Sequence, residues 1–249
     1  LGDYPHFMLK EIHEQSQSLQ HCISGRLRHA EGTSALGGLQ IRPQDLSQLP
    51  HVRLIGCGTA LHAAQIGQIL VEQWARIPAV SHVASEFNAN DPVINPKALH
   101  LAISQSGETA DTLSAVKEIQ RKGADVYGIV NVVGSSIARQ CGKGVYIHSG
   151  PEQSVASTKA FTNMVGALAL FSLQLGRSRH LSKTKGKSIA REMRKVPEKI
   201  RSYLDNPGPI QTAVDLIVQS KSVLFLGRGI SSPVASEGAL KLMEIAYIP

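Results

Sequence analysis

Apolar positions fall into two alternating rhythms along this chain. From Phe7 to Leu27 they recur at Met8, Ile12, Leu19, Ile23 and Leu27, mostly at the steps that stack side chains on one helix face. This spacing predicts a leading amphipathic helix. The stretch from Glu31 to Gln48 is rich in glycine and turn formers. Beyond it, short apolar runs alternate with longer helical patterns. "VRLIG" (Val52 to Gly56), "AVSHVA" (Ala79 to Ala84), "LHLAIS" (Leu99 to Ser104), "DVYGIVN" and "GVYIHSG" (Gly144 to Gly150) read as strands. "ALHAAQIGQILVEQW", "TADTLSAVKEIQRKG" and "TKAFTNMVGALALFSLQLG" read as helices, with Gly123 closing the second. Such alternation predicts an α/β fold with a mainly parallel sheet covered on both faces. Right-handed crossovers make it a three-layer α/β/α sandwich.

The rhythm starts again late in the chain. "VLFLGRGISSPVASEGALKLMEIAY" begins like "VRLIGCGTALHAAQIGQILVEQW", with Gly227 and Gly229 standing 171 residues after Gly56 and Gly58. Each copy is an apolar strand, Gly-x-Gly and a helix, so a repeat at domain scale is expected. The helix-prone Lys183 to Leu204 and the turn "NPGPI" would connect the copies. Only Ser222 to Pro249 is left for the second one. The expected organisation is a helical lead-in over 1–40, a first domain over 41–180, a helical connector over 181–221, and a truncated second copy over 222–249.

Composition narrows the class. The chain has 249 residues, 42% of them hydrophobic, enough for a substantial core. "MVGALALFSLQLG" is too short to span a bilayer and reads as a buried helix. No secretory signal is read at the start. Three cysteines, Cys22, Cys57 and Cys141, form no CxxC or Cys/His cluster, so neither a disulfide framework nor a zinc site is indicated. A reducing cytoplasm is the natural setting. The net charge of +7 is concentrated: Arg177 to Arg201 carries ten Lys and Arg against two Glu, which leaves the rest at −1. With few aromatics and no helix-turn-helix pattern beside it, this segment reads as a solvated connector rather than a nucleic-acid surface.

Candidate chemistry sits where strands run into helices. In an open parallel sheet, ligands bind beyond the carboxyl ends of the strands. Gly56-Cys57-Gly58-Thr59 and Ser104-Gln105-Ser106-Gly107-Glu108-Thr109 each follow a strand and open a helix. Helix N-termini offer unpaired N–H groups and partial positive charge. Hydroxyls and an amide placed there suit a phosphate, although one hydroxyl could equally be a simple helix cap. The first loop lacks both the third glycine of a dinucleotide fingerprint and the Gly-Lys-Ser/Thr of a P-loop. A third loop, "GPEQSVASTKAFT", again puts Ser154, Ser157 and Thr158 before a helix, to cap it or to meet sugar hydroxyls. Glu237, Lys241 and Glu244 share one helix face at i, i+4 and i+7. Taken by themselves they read as a surface ion pair. The chemical alternative is an acid/base carboxylate beside an amine able to form a Schiff base.

Together these segments resemble a known family over essentially the whole chain. "YPHFMLKEIHEQ", "GCGTALHA", "SQSGETADTL", "GPEQSVASTKAFT" and "EGALKLMEIAYI" are similar to successive segments of the isomerase part of the glucosamine-6-phosphate synthases, also called glutamine–fructose-6-phosphate aminotransferases. That part is built from two sugar-isomerase (SIS) domains, each a flavodoxin-like sandwich. The resemblance implies a phosphosugar site using Thr59, Ala60, Ser104, Gln105, Ser106 and Thr109, with Val155 and Ser157 nearby. It implies that Lys241 handles the sugar carbonyl and that Glu244 moves the proton between C1 and C2. It further implies fructose 6-phosphate and glucosamine 6-phosphate as ligands, a glutaminase domain in the longer protein, a homodimer, and no metal, organic cofactor, nucleic acid or membrane. Ala60 departs from the family, which usually has Ser there, so one phosphate hydroxyl is lost while the backbone N–H stays. The chain is also expected to stop short of the family's ring-opening histidine, so that it binds phosphosugar but turns it over poorly. Two other readings remain open on the residues: another SIS-domain isomerase or deglycase, and a sugar-phosphate-sensing regulatory domain.

Overall fold

A computed structural model describes residues 1–249. The chain opens with helix α1 (Phe7–Ile23), a two-strand ribbon of β1 (Leu27–Arg28) and β2 (Thr33–Ser34), and the short helix α2 (Pro43–Ser47). The central unit runs β3 (Val52–Gly56), α3 (Thr59–Ala75), β4 (Ala79–Val83), α4 (Ala84–Phe87), β5 (Leu99–Ser104), α5 (Ala110–Arg121), β6 (Val126–Val130), α6 (Ser136–Cys141), β7 (Gly144–Tyr146) and α7 (Lys159–Arg179). Helices α8 (Lys183–Leu204), α9 (Gly208–Ile217) and α10 (Ser231–Ala246) follow.

Strands β3 to β7 form one parallel sheet in the order β4-β3-β5-β6-β7. This is the flavodoxin-like order, in which the chain builds outward in one direction from β3 and in the other from β5. The switch point therefore falls between β3 and β5. Strands β5 and β6 are buried along their whole length, as expected for a sheet covered on both faces. Leu54, Leu101 and Ile129 pack with Ala63, Val71, Met164, Leu168 and Phe171 of α3 and α7. On the opposite face, Ile55, Ala102 and Val130 pack with Phe87, Val116, Ile119 and Ile137 of α4, α5 and α6. Helix α7 is apolar nearly all round because α3 covers one side and α1 another.

Three places differ from the sequence pattern. The strand expected over Gly144 to Gly150 ends at Tyr146. Beyond it, Ile147 N–H still donates to Val130 O at 2.9 Å, and Asn131 carries the edge on by accepting from Ser149 N–H and donating to Gly150 O. The connector turn at Asn206–Pro207 leads into α9, an amphipathic helix with no buried residue. The strand expected at the start of the second copy does not form: residues 222–228 take no regular secondary structure and pair with no other strand. Leu224 and Leu226 are accordingly 87% and 88% exposed. The helix of that copy, α10, forms as expected.

The basic segment is a 22-residue helix, α8. Its N-cap Ser182 accepts from Lys185 N–H at 3.2 Å, and Gly186, Ala190 and Pro197 form its buried spine. Ser16 of α1 donates to Pro197 O at 2.7 Å, so the spine lies against α1 and the charges face water. All three cysteines are free. Burial pushes the Cys22 thiol up to about 11 and the Cys141 thiol to about 12. No helix is long and apolar enough to cross a membrane.

Candidate functional site

The switch point brings two of the candidate loops side by side, at the carboxyl ends of the adjacent strands β3 and β5. In the β3 loop, Gly58 takes φ +52° and ψ −126°, a turn that a side chain would oppose. Its carbonyl accepts from Leu61 and His62 N–H at 2.9 and 3.1 Å, which starts α3. Ala60 N–H donates to Cys57 O at 3.0 Å. That N–H is thus used inside the loop, against the expectation that it stays available for a ligand. Cys57 is partly exposed beside it.

The β5 loop braces itself with its own hydroxyls. Ser104 Oγ accepts from Gly107 N–H at 3.0 Å and lies 3.1 Å from Thr109 Oγ1. Ser106 Oγ accepts from Glu108 N–H at 3.1 Å. Gln105 contributes its carbonyl, which accepts from Asn131 N–H at 3.3 Å. Each hydroxyl has one proton and two lone pairs. Ser106 acts as an acceptor here and keeps its proton, and one of the Ser104/Thr109 pair does too. The loop can therefore hold its shape and still present donors at the N-terminus of α5. Gly107 makes that shape possible: its φ is +68°, and a Cβ there would run into the Ser135 side chain. Glu108 accepts from Ser136 N–H at 2.8 Å. Hydrogen bonds from the Ser136 side chain and backbone hold its carboxyl below the usual range.

Helix α10 lies against the start of α3 and brings its charged face to the first loop. Lys241 Nζ donates to Thr59 Oγ1 at 3.0 Å and to Glu244 Oε2 at 2.7 Å, and lies 3.5 Å from Glu237 Oε1. Thr59 donates in turn to Glu237 Oε1 at 2.9 Å, so its one proton is spent. His62 Nδ1 lies 2.7 Å from Glu237 Oε2. The isolated surface ion pair that spacing alone favoured is instead a half-buried network of two carboxylates, an ammonium, a hydroxyl and an imidazole. His62 was not legible as part of it. Its nearest sequence signal is its place one turn after Thr59, which any helical histidine could share.

The third loop stands apart from this network. Glu152 accepts from Ser157 Oγ at 2.8 Å and from Thr158 and Ala160 N–H at 2.9 and 3.1 Å. The buried Glu11 of α1 accepts from Gln153 N–H at 2.6 Å, and Val155 is 91% exposed. No hydrogen bond joins this loop to Thr59 or to the 104–109 loop. A pocket of about 720 Å³ lies between α1 and residues 148–153 and takes in none of Thr59, Ser104, Thr109, Lys241 or Glu244. In the switch-point loops Ala60, Ser104 and Gly107 are buried while Thr59, Gln105, Ser106 and Thr109 are partly exposed, so polar groups of both loops reach the surface there.

Residues 45–173 match the family model described as "SIS domain". The chain is 45% identical over 248 residues to the glutamine–fructose-6-phosphate aminotransferase [isomerizing] of Thermus thermophilus, covering 99% of this chain and 40% of that protein. It spans about 40% of the length of the curated relatives it matches. Among solved structures, the C-terminal domain of glucosamine-fructose-6-phosphate aminotransferase from Francisella tularensis superposes with a TM-score of 0.90 at 32% identity, covering 99% of this chain and 69% of that one. The glucosamine-6-phosphate deaminase of Thermotoga maritima, at 19% identity and a TM-score of 0.73, shares the fold.

Proposed function

The chain belongs to the SIS-domain family, alongside the isomerase part of the glutamine–fructose-6-phosphate aminotransferases, and on that premise we propose that it is the phosphosugar-binding isomerase part of an enzyme that makes glucosamine 6-phosphate from fructose 6-phosphate and glutamine-derived ammonia. The observation that carries this reading is the 3.0 Å hydrogen bond from Lys241 to Thr59. It sets an amine and the neighbouring Glu244 carboxylate beside the switch point, where a sensing module needs only the cradle.

In this account the phosphate lies over the N-terminus of α5, held by Ser104, Gln105, Ser106 and Thr109, with Thr59 and Ala60 flanking it and Val155 and Ser157 nearer the sugar. Lys241 engages the carbonyl of the open-chain sugar, which acidifies the neighbouring C–H. Glu244 takes that proton from one carbon and returns it to the next, so one carboxylate serves as base and then acid. The longer protein would add a glutaminase domain as ammonia source and would work as a homodimer. The repeat supports a domain layout of a lead-in over 1–40, a first SIS unit over 41–180, a connector over 181–221 and the opening of a second unit over 222–249.

Calorimetric titration with fructose 6-phosphate tests the cradle. Ser106→Ala combined with Thr109→Ala removes two hydroxyls and is expected to weaken binding by roughly 2 kcal/mol, taking about 1 kcal/mol for each lost hydrogen bond. Equal affinity in wild type and double variant would show that the phosphate binds elsewhere.

A further inference from the structure

His62 has no part in the reaction as described, yet it makes one of the shortest polar contacts in the site. It stands three residues after Thr59 on α3, with Nδ1 2.7 Å from Glu237 Oε2. The Glu237 side chain is only 7% exposed. A buried carboxylate needs partners for both oxygens. Thr59 serves Oε1 at 2.9 Å, and His62 is the hydrogen-bond partner of Oε2. Lys241 is contested between two carboxylates and sits closer to Glu244, at 2.7 Å, than to Glu237, at 3.5 Å.

The same contacts seat the helix. From Pro207 onward, every side-chain hydrogen bond or ion pair from residues 207–249 back to residues 1–206 ends on Thr59 or His62. Glu237 receives both groups, and Lys241 and Glu244 ride on the same helix one and two turns further on. What fixes Glu237 therefore fixes the placement of both.

The geometry points to His62 as a positioning residue: its Nδ1–H donates to Glu237, satisfies that carboxylate without Lys241, and so leaves the ammonium turned toward Glu244 beside the 56–59 loop. The assignment rests on the roles given to Lys241 and Glu244 above. Without His62, Glu237 Oε2 loses its donor. The nearest cation is Lys241, 3.5 Å from the other oxygen, Oε1, and a shift toward Oε2 draws it away from Glu244.

The test uses the protein at the full length of its relatives and two substitutions. Asn carries an N–H close to where the imidazole Nδ1 stands, whereas Ala carries none. His62→Ala is expected to lower kcat by about 10- to 100-fold, the factor set by losing one hydrogen bond to a charged group. KM for fructose 6-phosphate should stay within about threefold, because the phosphate loop is untouched. His62→Asn should return kcat to within about threefold of wild type. Wild-type kcat in His62→Ala, equal damage in both variants, or a loss carried by KM would overturn the assignment. A second measurement needs neither turnover nor the alanine variant. Nitrogen-15 NMR of labelled histidine should show His62 protonated at Nδ1, with its signals moved by Glu237→Gln. A bare Nδ1, or no response to Glu237→Gln, refutes the contact. A wild-type protein without isomerase activity would instead overturn the proposed function, and with it the positioning role, while the NMR result still decides the His62–Glu237 bond.

Discussion

His100 stands on β5 beside Arg53 of β3, fully buried and with neither ring nitrogen hydrogen-bonded. Burial first, then the charges of Arg53 and His51, push its pKa down to about 4 from an ordinary 6.5. The unfolded chain therefore takes up this proton below pH 6.5, while the folded chain refuses it until about 4. Folding stability is complete above 6.5 and falls as the pH drops through that window, by at most about 1.4 kcal/mol per pH unit from this group. His51 and His82, both lowered first by burial and then by Arg53, slope the same way. Urea unfolding at pH 7.5 and pH 5 should show wild type losing more stability than His100→Leu. Parallel losses in the two proteins would remove His100 as the cause. Nothing in "LHLAIS" signals this, because a histidine within an apolar strand does not reveal whether its ring meets a partner.

At the scale of elements, α7 shows how a helix end can be misjudged. Three hydroxyls precede it, yet Thr158 makes no side-chain cap, and the acceptor for Thr158 and Ala160 N–H is the Glu152 carboxylate. A carboxylate at a helix N-terminus gains from both the hydrogen bonds and the dipole. Glu152→Ala should cost about 1–2 kcal/mol of unfolding free energy, read from urea melts. A change within error would mean that water replaces the cap. Helix α8 is the opposite case, in which the charge pattern alone predicted exposed basic side chains. Its spine of Gly186, Ala190 and Pro197 is buried, leaving Lys187, Arg191, Arg194 and Lys195 exposed with no aromatic platform among them. Filter binding with duplex DNA at physiological salt should show only weak, unspecific retention. Tight, sequence-selective retention would revive the regulator reading.

For the molecule as a whole, the consequence of the fold is that one helix carries both proposed catalytic groups to a sheet it does not belong to. If Glu244 shuttles the proton, Glu244→Gln in the protein at the length of its relatives should abolish solvent deuterium incorporation at C1 and C2 of the sugar phosphate, followed by NMR. Phosphosugar affinity should stay nearly unchanged, since the substitution leaves the 104–109 loop untouched. Exchange at the wild-type rate would take Glu244 out of the mechanism.

The sequence by itself determined the order of strands and helices, the parallel sheet and the two loops at its carboxyl edge, because these follow from local periodicity and from the conformations that glycines at 58 and 107 permit. It suggested a repeat as well, since an apolar run, Gly-x-Gly and a helical pattern recur 171 residues apart. Only the tertiary structure decided that the second apolar run stays unpaired, since a strand needs a neighbour that no local pattern supplies. The tertiary structure also decided which donors are free. The Thr59 hydroxyl and the Ala60 N–H look as available in the sequence as the hydroxyl of Ser106, but their partners stand 178 residues away at Glu237 and three residues away at Cys57. Whether Glu237, Lys241 and Glu244 form a solvated ion pair or a buried network depends on what their helix packs against. That is a long-range contact, and helical spacing, which fixes only which residues share a face, carries no information about it.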